Sequence, residues 1–344
     1  MIRKYHVFDS NPKSGINHYA RDFHELVLEP LGYKVLDPAA VTGDWLARCG
    51  ELAVFHFQLG AIESATRIAQ TAMLRSGKGV ADATLHDPPF LTFPYFDFKA
   101  PLLNRLSRGF DWYLRSFGIQ SSVLRQLRRT YVLSEKGRIS LVARSGVEAI
   151  RIPHIVNPRA IWPSAVANSP DVLFFGFLGP AKGIDYALRL HERMLVDFPE
   201  LQMHVVGDAP GPAGRAYVDG LRRRFTRRVT FHGYQPSDRV DAIFASVRHV
   251  FLPFDQYRYL NPASGSVINA LRRGRVVWST PVNAVPELIV HGDNGMLLTR
   301  DLEADAKAFL QLACDDEAMT HLGERALETA RAMATYAYRQ HFED

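Results

Sequence analysis

Between residues 172 and 281, short continuous apolar runs alternate with helical spacing, and that alternation admits few folds. Val172–Phe175, Met203–Val206, Val229–Phe231, His249–Leu252 and Val276–Trp278 read as strands of a parallel sheet buried on both faces. Each stops in small or polar residues: Gly176, Gly207-Asp208, His232-Gly233, Pro253 and Ser279-Thr280-Pro281. A helical face follows the first, with Ile184, Leu188, Leu195 and Phe198 in register. Right-handed crossovers gather such strand ends on one edge of a sheet, where ligands bind.

The first half alternates less cleanly. Tyr5–Phe8 reads as a strand ending in the turn Asp9–Gly15, and Ile16, Tyr19, Phe23 and Leu26 then follow helical spacing. Leu52–Phe57 closes at Gly60, and Ala83–Leu85 runs into His86-Asp87-Pro88-Pro89. Two or three helices occupy roughly 100–128. Thr130–Leu133 and Ala149–Ile152 return to strand. Prolines 153, 158, 163 and 170 mark an interdomain linker. A chain of 344 residues is long for one core, so two domains are expected, 1–160 and 161–325. The helical stretch 326–344 is expected to pack back on the first.

The apolar fraction of 47% and charged fraction of 22% are those of a soluble globular protein. No run of about eighteen apolar residues is present to span a membrane, and the strand-like start Met1–Phe8 is unlike a signal peptide. Cys49 and Cys314 are far apart and lack ligand-type neighbours, which argues against a disulfide framework or zinc site and fits a reducing cytoplasm. The net charge of +5 is concentrated at 99–129, where Lys99, Arg105, Arg108, Arg115, Arg125, Arg128 and Arg129 face the single acid Asp111. Phe110, Trp112, Tyr113 and Phe117 are interleaved. This composition suits the anionic inner face of a membrane, or equally a solvated helical face. No nucleic-acid recognition motif accompanies it.

Four elements carry candidate chemistry. Gly176–Gly183 lets backbone approach a phosphate, and Lys182 adds a cation, though it is neither a P-loop nor a GxGxxG fingerprint. Ser264-Gly265-Ser266 opens a helix whose free N–H groups favour a diphosphate, or simply caps it. His86-Asp87, at a strand end, can serve a sugar hydroxyl or phosphate oxygen, or form a local turn; His56 has the same ambiguity. Glu287 follows Pro286 at a helix start, where the dipole favours it. No G-x-S-x-G elbow and no convincing metal-ligand spacing occurs.

In this order the elements resemble the retaining glycosyltransferases of family 4. The resemblance implies an α/β protein of GT-B architecture, with two Rossmann-like doubly wound domains facing across a cleft. Phe174–Gly183 is similar to the family's phosphate turn, G-R-L…K-G. Val205-Val-Gly207-Asp208 and Val229–Tyr234 match the next two strand ends, and Asn283-Ala-Val-Pro286-Glu287 matches G-G-x-P-E. Ser14-Gly15, Leu85-His86-Asp87 and Ile152–Asn157 fall where the family has its glycine loop, its "HD" strand end and its approach to the linker.

The resemblance implies that a nucleotide-diphosphate sugar is held by Gly15, Gly176, Phe177, Gly179, Lys182, Gly207, Asp208, Gly233, Tyr234, Ser264, Gly265, Ser266, Asn269 and Glu287. It implies catalysis by His86, Lys182 and Asn261, with Ser14, His56 and Asp87 lining the acceptor side and no metal or cofactor. The acceptor would be a glycan or lipid-linked sugar in bacterial surface-polysaccharide assembly, with no nucleic-acid partner. Three positions depart from the pattern. The E-x7-E pair is Asn261 and Asn269, the diphosphate Arg is Phe177, and the first glycine of G-G-x-P-E is Asn283. Asn keeps hydrogen-bonding capacity without charge. Arg258, Arg272 and Arg273 are the cations left to compensate. Two other readings follow from these losses: a GT-B accessory protein that binds without catalysing, and a GT-B sugar-nucleotide epimerase.

Overall fold

The computed structural model describes residues 2–11, 14–48, 53–60, 64–91, 102–103, 106–107, 119–165, 169–209, 211–257, 260–313 and 315–343. The chain divides into two units. The first comprises Met1–Ile155, Arg258–Ala263 and Tyr336–Asp344; the second comprises Val156–Tyr257 and Ser264–Thr335.

The first unit is built on six parallel strands: β1 (Arg3–Val7), β2 (Tyr33–Leu36), β3 (Ala53–Leu59), β4 (Val80–Leu85), β5 (Arg129–Val132) and β6 (Ile150–Arg151). Their order is β2-β1-β3-β4-β5-β6. The order reverses between β1 and β3, so loops leaving those strands diverge there. Side chains alternate across a strand, and here the two faces differ in chemistry. Val7, Phe55, Phe57, Ala83 and Leu85 form an apolar core on one face. His6, His56, Gln58, Asp82 and Thr84 line the other, all buried. Over this polar layer lies the helix Gly15–Phe23, capped by Ser14, whose hydroxyl accepts from the Asn17 N–H. Its Tyr19 and Phe23 pack with Tyr131, Tyr338 and Phe342. The C-terminal residues are fastened to β5: Tyr131 Oη and Arg129 Nη1 both donate to the His341 carbonyl, at 2.7 and 2.8 Å. Asp82 meets Arg128 at 2.5 Å beneath them.

The second unit repeats the plan with β7 (Val172–Phe175), β8 (Met203–Val206), β9 (Val229–Gly233), β10 (His249–Leu252), β11 (Val276–Ser279) and β12 (Gly295–Leu297). All are parallel, in the order β12-β11-β10-β7-β8-β9. The reversal falls between β7 and β10. Both faces are apolar, which is why these strands are unbroken hydrophobic runs.

The structure revises several boundaries read from sequence. Strands β2 and β12 were not expected: each is an edge strand with part-exposed residues, so neither presents an apolar run. The units part at Ile155, not at residue 160. Much of the proline-rich stretch belongs to the second unit, where Trp162 N–H donates to the Arg272 carbonyl at 2.8 Å. Residues 326–334 continue the helix Asp316–Ala334 of the second unit, and only Tyr336–Asp344 groups with the first.

Burial of the polar layer has a consequence in acid. Burial is the main cause that lowers His56 to about 4 and His86 to about 3, against 6.5 for an ordinary histidine. Both folded values are depressed. Their stabilising effect is therefore complete above pH 6.5 and is lost as the pH falls toward those values. Each histidine should lower stability by about 2 kcal/mol between pH 6.5 and 5. Urea midpoints across that range should fall in the wild type and fall less in His56→Gln; equal slopes would refute the assignment.

Candidate functional site

In the second unit, three loops meet at the point where the strand order reverses. Gly176 ends β7 with φ 130, and Gly207 ends β8 with φ 144. A Cβ on Gly207 would lie 1.8 Å from the Gly176 carbonyl oxygen, and one on Gly176 would lie 2.6 Å from Ser266 Oγ. Only glycine permits this approach. Main-chain bonds fix it: Gly176 N–H donates to Val206 O at 3.0 Å, and Leu178 N–H to Asp208 O at 3.0 Å. Gly207 N–H donates to the carbonyl of Gly233, which ends β9 at φ 72. The β7 loop is equally close to β10. A Cβ on Gly183, φ 73, would lie 1.7 Å from the Pro253 carbonyl, and Asp255 N–H donates to Ala181 O at 3.1 Å.

This packing brings Gly176, Gly207 and Ser266 together, with Phe177 and Tyr234 both exposed nearby in sequence. Lys182 ends the short turn Pro180–Lys182, and its ammonium stands 5.2 Å from the Phe254 ring and 5.7 Å from that of Tyr257. It makes no ion pair with a described residue. Ser264 caps the helix Gly265–Leu271 by accepting from Val267 N–H. That helix has seven residues, so it contributes first-turn N–H groups more than a long dipole.

Other predicted residues are placed differently. Asn269 donates to the Gly265 carbonyl at 2.8 Å, and its Oδ1 accepts from Arg272 Nη2 at 2.7 Å and Arg273 Nη1 at 2.9 Å. Both ends of its amide are thus engaged within the unit. Arg273 is buried and bound to Asp241, and it faces Phe244 at 4.5 Å. It cannot compensate for the arginine replaced by Phe177. Arg258 lies outside the described residues. Asn261 belongs to the first unit, where its N–H donates to Pro88 O at 2.8 Å. The two asparagines of the expected pair therefore fall in different units. Glu287 stands exposed in the single 3-10 turn Val285–Glu287, not at the start of a longer helix. Asn283 adopts φ 52, a left-handed backbone that asparagine tolerates better than most residues. Its side chain was not anticipated: Oδ1 accepts from Gln256 Nε2 at 3.1 Å, pinning the loop after β10.

In the first unit, Ser14 and Gly15 follow β1, Gly60 follows β3, and His86-Asp87 follows β4. Asp87 Oδ2 would lie 3.2 Å from a Cβ on Gly60, and His86 N–H donates to Leu59 O at 2.8 Å. The His86 ring is held by Gln58, 2.9 Å from its Nε2. His56 is corrected: it is fully buried in mid-strand, 3.0 Å from Thr84 Oγ1, and does not reach the strand ends. Gln58 and His6 were missed, although the alternation Phe55-His56-Phe57-Gln58-Leu59 announces a polar face. Most of the basic stretch 99–129 and both cysteines lie outside the described residues. Of its cations, Arg125 donates to Ser145 O, Arg128 pairs with Asp82 and Arg129 donates to His341 O, so these three serve the unit's own structure. Among the described residues no helix is long and apolar enough to cross a membrane.

Residues 169–315 match the family model described as Glycosyl transferases group 1. No curated protein matches the chain. Among solved structures, sucrose-phosphate synthase from Thermosynechococcus elongatus is 16% identical, with a TM-score of 0.71 over 99% of each chain. HepE from Anabaena, in complex with UDP and glucose, is 16% identical, with a TM-score of 0.69 over 97% of this chain and 95% of its own. TarM is 16% identical, with a TM-score of 0.64 over 87% of this chain; the chain spans 56% of TarM's length. These likenesses establish the fold: α/β, two Rossmann-like units, of GT-B type.

Two glycines test the loop geometry. Gly207→Ala should lower stability by more than about 2 kcal/mol, since both its φ and its neighbour exclude a Cβ. Gly179→Ala, extended at φ −164 with open space around it, should change stability by less than about 0.5 kcal/mol. Denaturant midpoints that fall alike for both would contradict the packing described.

Proposed function

We propose that the protein is a glycosyltransferase whose second unit binds a nucleotide-diphosphate sugar and passes the sugar to a glycan or lipid-linked acceptor. The observation that carries this reading is the closure of Gly176 on Gly207 and Ser266 at the switch point, with Lys182 on the same loop. The N–H groups of Gly176, Leu178 and Gly207 are spent within this packing, and the first-turn N–H groups of the helix Gly265–Leu271, set beside it without side chains between, suit a diphosphate. Lys182 is held over two aromatic rings, which steady an ammonium without neutralising it. It is the cation assigned to the departing diphosphate, and electrostatic stabilisation there is the main catalytic task. The reading therefore calls for no metal. Gly233, which ends β9, and Tyr234 after it take the base. The strand ends at Ser14, Gly15 and His86 take the acceptor.

In the retaining reaction the acceptor hydroxyl attacks the anomeric carbon on the face the leaving group departs. The bond from that carbon to the diphosphate oxygen breaks, and a phosphate oxygen accepts the hydroxyl proton. Lys182 and nearby N–H groups balance the charge on the diphosphate. The setting we assign is bacterial surface-polysaccharide or glycoconjugate assembly.

The test is binding and turnover with UDP-, GDP-, dTDP- and CMP-sugars. One nucleotide should bind, and slow donor hydrolysis should fall about a hundredfold or more in Lys182→Ala, comparable with loss of one transition-state donor. Tight binding without turnover on any acceptor would instead identify a binding protein, a role that the internally engaged Asn269 amide favours. If no nucleotide binds, the site assignment fails.

A further inference from the structure

We propose that Gln58 is a positioning residue: braced by His6, it holds the ring proton of His86 on Nε2, so that His86 offers a ligand hydroxyl a neutral acceptor nitrogen at Nδ1. His6 and Gln58 stand on the adjacent strands β1 and β3, and His86 directly follows β4, the next strand of the first sheet. Gln58 Oε1 lies 2.9 Å from His86 Nε2, and Gln58 Nε2 lies 2.9 Å from His6 Nε2. An amide has one accepting and one donating end, so a single amide between two imidazoles forces opposite roles on them. With its oxygen toward His86, that ring donates from Nε2 and His6 accepts at Nε2.

The remaining ring atoms are unequal. The Nδ1 atoms of His6 and His56 are buried without partners, and both rings are fully enclosed, whereas His86, at the strand end, keeps 8% of its surface exposed. The ring itself is clamped edge-on by Tyr19 at 4.8 Å, and Tyr19 meets His154 in the same way at 4.9 Å. A neutral acceptor nitrogen at a strand end matches a hydroxyl donor. The choice of an amide matters. A carboxylate at 58 would accept from both rings and favour a charged His86. Gln58 keeps the ring neutral while fixing its proton. The identity of the hydroxyl as that of a sugar acceptor rests on the transferase reading; the tautomer does not.

The experiment is long-range 1H–15N NMR on the full chain labelled at histidine, in the absence of nucleotide. His86 should show a protonated Nε2 and an unprotonated Nδ1, and His6 the reverse. Gln58→Glu should keep the His86 proton on Nε2, raise the pH below which Nδ1 is protonated as well, and move the His6 proton to Nε2. Gln58→Leu should average the two His86 nitrogens. A His86 proton found on Nδ1 in the wild type would mean that the amide is turned over, and would overturn the proposal. So would an unchanged tautomer in Gln58→Leu; should that variant not fold, the wild-type and Gln58→Glu spectra decide alone. With a working acceptor, Gln58→Leu should raise its KM roughly five- to tenfold while donor hydrolysis is unchanged. A wild-type spectrum as expected with no transfer activity would sink the transferase reading and leave the tautomer assignment standing.

Discussion

Everything at the second unit's candidate site depends on backbone touching backbone. At the ends of β7, β8 and β10, carbonyl oxygens occupy the space where Cβ atoms would stand on Gly183 and Gly207. The loops are therefore positioned by main-chain geometry, with no side chains as spacers. Such a surface is organised before any ligand arrives. A charged ligand meeting it does not have to reorganise the protein, which is what gives fixed dipoles their advantage over water. The strand order makes this possible by placing β7 beside both β8 and β10.

The unit's arginines tell the opposite story. Arg275, buried and lowered to about 10 mainly by burial, donates to Ala165 O and faces Trp162 at 4.9 Å. Arg273 faces the same ring at 5.8 Å and binds Asp241. These guanidinium groups hold the segment that enters the unit. Asn269 sits beside them and accepts from Arg273 and from the neighbouring Arg272. The position that resembles a ribose contact in sequence thus has an internal role in this chain. Lys182 is left as the cation on the phosphate-type loop.

How much was legible follows from what each element buries. Strands β7, β8 and β10 are buried on both faces, so their bounds could be read directly from the apolar runs. Strands β2 and β12 lie at sheet edges and carry no such run. The left-handed backbone at Asn283 was legible because few other side chains tolerate it. The polar layer of the first sheet was not, because alternating histidine, glutamine and threonine read as a half-exposed strand until a covering helix is known. Asn261 and Asn269 illustrate a different limit. Spacing along a chain does not reveal that a unit boundary runs between them, at Ala263.

The C-terminal residues Tyr338 and Phe342 complete an aromatic cluster whose other members include Tyr19, Phe23 and Tyr131. A domain built from one end of the chain is here finished by the other. During synthesis, domains usually fold in turn from the N-terminus. This first unit lacks Tyr338 and Phe342 of that cluster until the second has left the ribosome. Its apolar face can collapse early and the helix Gly15–Phe23 can settle on the polar one, but Phe23, His56 and Tyr131 gain their contacts with Phe342 only when residue 342 emerges.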